Sequence, residues 1–136
     1  MALVPVPTNA DCPVAPASIY ASTKLMQEYL LQQAFWGTGT AVGILRLQNV
    51  YGPGQSLNNP YTGVLSIFCR QIQEGRVLNI YEDGQITRDF VLVDDVVRAF
   101  AMMGQVVEVP REILDIGSGE GATILDVARR LLHLLG

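Results

Sequence analysis

The sequence predicts an α/β fold, on three observations. Segments with helical spacing alternate with short extended ones along the chain. The run Thr40-Ala41-Val42-Gly43-Ile44-Leu45-Arg46-Leu47 is apolar almost throughout, which suits a strand covered by helices on both faces. Clusters of Gly and Pro fall between these segments, where turns are needed.

The elements follow in order. Residues 1–17 hold Pro5, Pro7, Pro13 and Pro16 and are expected to run extended, since proline removes a backbone donor and fixes φ. Ser18 reads as an N-cap. The stretch from Ile19 to Phe35 lacks Gly and Pro and carries Tyr20, Leu25, Met26, Tyr29, Leu30 and Ala34 at helical spacing, with Gly37 closing it. A strand is expected over 40–48, turns over 51–61, and a helix from Thr62 to Glu74 stopped by Gly75. Val77 to Tyr81 reads as a short strand, Glu82-Asp83-Gly84 as a turn, and Phe90 to Val93 as another extended piece. Asp94 is expected to cap a helix running to Met103, with Asp95 in its first turn. Ile113 to Ile116 reads as a strand, and Thr123 as the cap of a last helix through Leu134. A single long strand cannot satisfy its own edges. Either the short strands complete a small sheet, or part of the domain lies outside these residues.

Composition narrows the function classes. Nine Lys and Arg stand against thirteen Asp and Glu, a net charge of −4, so no basic stripe marks a nucleic-acid binder. The chain is 49% hydrophobic and 16% charged, which excludes a disordered chain. No apolar run reaches the ~18–20 residues of a membrane span, and Met1 to Pro7 lacks the basic and apolar regions of a signal peptide. Cys12 and Cys69 have no metal or redox spacing, which fits a reducing, cytoplasmic setting. His133 alone gives no basis for a metal or triad site.

The sharpest constellation is Tyr20-Ala21-Ser22-Thr23-Lys24. Positions i and i+4 share a helix face, and an ammonium held beside a phenol favours the phenolate. Such a pair can accept a hydroxyl proton; a packed Tyr beside a surface Lys is the plainer alternative. Downstream stand Arg46-Leu47-Gln48-Asn49-Val50-Tyr51-Gly52-Pro53-Gly54-Gln55 and Thr87-Arg88-Asp89-Phe90-Val91-Leu92-Val93-Asp94-Asp95. With Pro16-Ala17-Ser18-Ile19-Tyr20 and Lys24, these segments resemble the extended short-chain dehydrogenase/reductases of the NAD-dependent epimerase/dehydratase family. The likeness covers nearly the whole chain. Tyr51-Gly52-Pro53-Gly54-Gln55 and Asn59-Pro60-Tyr61-Thr62-Gly63 are most similar to sugar-nucleotide 4-epimerases.

The resemblance implies a fold, a cofactor and a site. The fold is an incomplete Rossmann-like one: a Pro-rich lead-in over 1–17, the Tyr-Lys helix and a core strand over 18–50, and a substrate-binding subdomain over 51–136. The cofactor is NAD, the substrate a nucleotide sugar, and the assembly a homo-oligomer, with no nucleic-acid, membrane or metal partner. Tyr20 becomes the catalytic acid/base, with Lys24 holding the nicotinamide ribose. Leu47 and Gln48 would touch the nicotinamide through backbone groups, although many relatives carry an aromatic residue at the position of Gln48. Asn49, Tyr81 and Arg88 become substrate ligands, Arg88 through its fork of donors to the pyrophosphate. Plainer roles stand beside these: a turn-former for Asn49, a surface pair with Asp89 for Arg88, and a structural ion pair for Arg46.

Ile113-Leu114-Asp115-Ile116-Gly117-Ser118-Gly119-Glu120-Gly121 also resembles the first motif of S-adenosylmethionine-dependent methyltransferases, in which a glycine-rich loop brings backbone N–H groups to a ligand at a helix start. The acidic ribose-binding residue expected ~20 residues further on does not follow. Against the family pattern, no Gly-x-x-Gly-x-x-Gly precedes Tyr20, and Thr8 and Ser18 are at the wrong separation for the catalytic Ser or Thr. The expectation is therefore a C-terminal portion lacking the glycine-rich βαβ half and inactive alone. The competing class is a truncated non-catalytic module that self-associates or binds a partner or a nucleotide sugar.

Overall fold

The computed structural model describes residues 12–57, 63–110 and 112–136. The lead-in up to residue 11 and the Asn59-Pro60-Tyr61-Thr62 segment lie outside them. The described residues form α1 (Ile19–Ala34), β1 (Leu45–Leu47), β2 (Asn49–Tyr51), α2 (Val64–Gln73), β3 (Thr87–Leu92), α3 (Val93–Met103), β4 (Leu114–Ile116), β5 (Gly121–Thr123) and α4 (Ile124–Leu135). They group into two compact units, one of 1–46 with 100–115 and one of 47–99 with 116–136.

In the first unit, the Ser18 side chain accepts from the Ala21 N–H at 3.1 Å and caps α1 as its sequence implies. No residue of α1 is fully buried. Ala21, Leu25 and Glu28, at helical spacing, form its half-buried face. On that face Glu28 meets Arg46 of β1 in a two-pronged pair, Nε to Oε1 and Nη2 to Oε2, both 2.8 Å. Arg46 is thus a structural cation, as its place in an apolar strand implies. The Arg46 hydrogen bond holds the Glu28 carboxyl below its ordinary range, against the opposing effect of partial burial. Glu28 raises Arg46 in return, chiefly through the same hydrogen bond.

The long strand expected over 40–48 is not formed. Only Leu45–Leu47 pairs, because β4 offers three residues, Leu114–Ile116, as its partner. The bonds from Leu114 N–H to Ile44 O and from Gln48 N–H to Ile116 O advance together along both strands. At Gln48 the chain changes sheets, and β2 pairs in parallel with β3, Asn49 opposite Phe90. The apolar run therefore supplies one short ladder and is at most half-buried.

The second unit carries the core. Phe68 of α2, 3% exposed, packs with Val127 and Ala128 of α4, and Phe90, Ala122, Leu78 and Ile80 close around them. The expected strand over 77–81 is absent. Its period-two pattern survives, with Leu78 and Ile80 inward and Val77 and Tyr81 outward, but among the described residues no neighbouring strand offers it a ladder. Of the extended piece expected over Phe90–Val93, Phe90 to Leu92 belong to a longer strand, Thr87–Leu92, while Val93 starts α3, and Asp94 lies in the first turn of α3, one residue after its start, instead of capping it.

The start of α4 shows why the 82–86 turn is needed. Its first N–H groups have no partner within the helix. Thr123 Oγ1 accepts from Asp126 N–H at 3.0 Å, Gly84 O from Leu125 N–H at 3.0 Å, and Ile86 O from Ile124 N–H at 3.1 Å. Gly84 sits at φ +70°, where a Cβ would lie 2.9 Å from Ile80 Cγ2.

Glu28→Gln keeps the shape of the pair but removes its charge. Urea unfolding at pH 7 is expected to show a loss of about 1–3 kcal/mol. A carboxyl held below its unfolded value contributes stability above that value and loses it as pH falls through the folded one. The gap between Glu28→Gln and the parent should therefore close in acid; a gap that persists there contradicts the ion-pair role.

Candidate active and ligand site

In the first unit, the first two turns of α1 set out Tyr20 and Lys24. Lys24 Nζ lies 5.7 Å from the centroid of the Tyr20 ring, within reach of the ring's negative face. Tyr20 is 71% exposed. Lys24 Nζ donates to Gln27 Oε1 at 3.4 Å and forms no salt bridge among the described residues. The pair stands on one exposed helix face with its charge unspent.

In the second unit, β2 and β3 hold Asn49 and Arg88 among the other expected ligands. Arg88 is exposed, donates from Nη1 to Thr87 O at 3.0 Å, and makes no salt bridge among the described residues. The surface bridge to Asp89 is not formed, because Asp89 is engaged elsewhere. Tyr81, 85% exposed, stands on the extended stretch beyond α2. Leu47 is partly exposed at the end of β1. The Gln48 N–H donates to Ile116 O at 2.9 Å, so that donor is not offered to a ligand. Asn49 is committed too: its Nδ2 donates to the Asp89 carbonyl at 3.0 Å. That bond ties β2 to β3 beyond their ladder and gives Asn49 a structural duty that neither a ligand role nor a turn-former implied.

For the Asp89 side chain the sequence suggests only a surface pair with Arg88; the fold gives it other partners. Its Oδ1 accepts from the Ser118 N–H at 2.7 Å and the Ser118 hydroxyl at 2.8 Å, and its Oδ2 from the Gly119 N–H at 2.9 Å. Gly117 has to lack a side chain here, since a Cβ would meet the Asp89 carboxylate, with Cγ only 2.9 Å away. Partial burial pushes the Asp89 carboxyl up, but the donors of Ser118 and Gly119 together outweigh it and hold it below the ordinary range. The glycine-rich loop thus makes a cradle for an anion, and the anion is the protein's own. It also opens into β5, which runs antiparallel to β3 with Asp89 opposite Gly121, and not directly into a helix. Both facts run against the methyltransferase-like reading of 115–121. The available signal was Asp89 next to Arg88, together with the spacing Gly117-Ser118-Gly119.

A Tyr-x-x-x-Lys helix, a strand beginning with Asn and an Arg-Asp strand succeed one another along this chain. The model of the NAD dependent epimerase/dehydratase family matches residues 2–117. The chain belongs to that family. Among the relatives of this epimerase/dehydratase chain is the dTDP-L-rhamnose 4-epimerase of Burkholderia thailandensis, 48% identical over 127 residues, covering 91% of the chain and 34% of that protein. An epimerase structure from Methanothermobacter thermautotrophicus superposes with a TM-score of 0.89 at 27% identity, over 97% of the chain and 39% of its own. The UDP-glucuronic acid 4-epimerase of Bacillus cereus, solved with UDP-glucuronic acid and NAD, gives 0.79 at 29% identity, over 98% and 40%. The chain thus spans between a third and two fifths of the length of these relatives, and its α/β fold is that of part of an extended short-chain dehydrogenase domain.

Asn49→Ala removes the Asn49–Asp89 bond without touching the core. Denaturant unfolding should show a loss of about 0.5–1.5 kcal/mol. An unchanged midpoint contradicts the structural role of Asn49.

Proposed function

We propose that these residues are the catalytic-helix and substrate-binding part of an NAD-dependent sugar-nucleotide 4-epimerase. One observation supports this most: Tyr20 and Lys24 share an exposed helix face, the ammonium against the phenol ring and free of any carboxylate among the described residues. A bound nicotinamide supplies the acceptor for a carbinol hydride. Tyr20 takes the carbinol proton at its phenol oxygen, with the Lys24 ammonium 5.7 Å from the centre of its ring. The same ammonium can meet a ribose hydroxyl. Leu47 and Gln48 border the nicotinamide, Gln48 through its carbonyl or side chain. The likeness to a 4-epimerase at 48% identity favours that reaction over dehydration.

Arg88 is the pyrophosphate ligand in this reading and Tyr81 lines the nucleobase pocket. The chain is net negative, so an anionic nucleotide sugar is drawn by local donors and not by the overall field. Asn49 contributes mainly by holding β3. The setting is cytoplasmic, with Cys12 and Cys69 both free.

The 136 residues alone lack a Gly-x-x-Gly-x-x-Gly ahead of Tyr20, and we propose that by themselves they turn over no substrate. The exposed Met26, Tyr29 and Leu30 of α1 and the nearby Trp36 favour association with a second copy.

Titration calorimetry with UDP tests the ligand assignment. Arg88→Ala should weaken binding by about 2 kcal/mol, near thirtyfold; unchanged affinity removes Arg88 from the site. The same purified sample should scatter light as a dimer or larger and give no NADH absorbance on mixing with NAD and UDP- or dTDP-sugars. A monomer contradicts the first expectation, and an NADH band contradicts the second.

A further inference from the structure

Arg88 and Asp89 are neighbours in β3, and successive strand residues project to opposite faces. The guanidinium is exposed, whereas the carboxylate is turned into the Gly117–Gly119 loop. We propose that Asp89 is a positioning residue for Arg88: by locking β3 at the peptide that joins the two, it sets the direction in which the guanidinium meets a nucleotide diphosphate. This rests on the reading of Arg88 as a phosphate ligand.

Asp89 is held at both ends. Ser118 and Gly119 grip its carboxylate with three donors, and Asn49 Nδ2 grips its carbonyl at 3.0 Å. The ladder fixes the same point, with Asp89 opposite Gly121 and Arg88 opposite Ala122. Ser118 Oγ also accepts from Glu120 N–H at 3.1 Å, which shapes the loop around the carboxylate. Charge adds a second effect. A carboxylate loose beside Arg88 would compete with phosphate for the guanidinium and repel the diphosphate. Bound to three donors and facing away, it does neither, and Arg88 enters no salt bridge among the described residues.

The test is a double-mutant cycle on the whole chain, read by UDP calorimetry and by the Arg88 Nε–H resonance in NMR spectra. Asp89→Asn puts an amide N–H₂ or a single oxygen where Oδ1 and Oδ2 both accept. It should weaken UDP binding about tenfold in the parent, and change it little when Arg88 is already Ala. Ser118→Ala removes one donor only and should fold where Asp89→Asn does not, with a loss of about threefold that again vanishes in the Arg88→Ala background. The Arg88 Nε–H signal should shift in both variants. Lowered melting temperatures with unchanged UDP affinity and an unmoved Arg88 signal overturn the proposal, leaving Asp89 a purely structural residue. Equal losses with and without Arg88 overturn it as well. If the parent chain binds no UDP, or Arg88→Ala binds it as well as the parent, the nucleotide-sugar reading itself fails and this inference with it.

Discussion

A carboxylate in a backbone cradle organises the second unit of this protein. Taking the Asp89 carboxylate partly out of water is unfavourable unless hydrogen bonds replace the water it loses. Ser118 and Gly119 supply them, and Gly117 makes the room. Once that contact forms, β5 lies against β3 in a single register, and Thr123 at its end is placed to cap α4. The α4 face that meets Phe68 follows from there. Core, sheet and loop are thus linked through one side chain at the sheet's surface.

Local chemistry was the legible part of the sequence. Ser18 and Thr123 act as caps because a hydroxyl ahead of a helix satisfies an orphan N–H wherever the rest of the chain goes. The pairing of Arg46 could be foreseen because a cation in an apolar strand requires a counter-charge, although nothing in the sequence marked Glu28 as that partner. The motif order also disclosed the family, since three separated motifs constrain more than any one.

What stayed hidden depended on partners distant in the chain. The apolar run over 40–48 reads as one strand, yet its ladder is only as long as Leu114–Ile116 allows. Leu78 and Ile80 have the pattern of a strand and pack like one, but a strand also needs a neighbour. The loop at Gly117–Gly121 has the composition of a ligand cradle; only the fold brings Asp89 into it, a residue 29 positions away from Ser118. Asn49 was likewise read for its side chain's usefulness to a substrate, while its nearest taker is a carbonyl of the adjoining strand.

Helix α1 carries the Tyr20–Lys24 pair and has no fully buried residue across its 16 positions. A helix of this length standing alone is marginal in water, and here the Ser18 cap and the Glu28–Arg46 pair are its chief local supports. The i, i+4 spacing that brings Lys24 to Tyr20 exists only while that turn is wound. Every molecule in which the start of α1 has frayed lacks the pair, so in the proposed function apparent affinity and rate scale with the wound fraction. In the proposed function, whatever rests on α1 therefore acts as an effector of the chemistry even if it never touches a reacting atom.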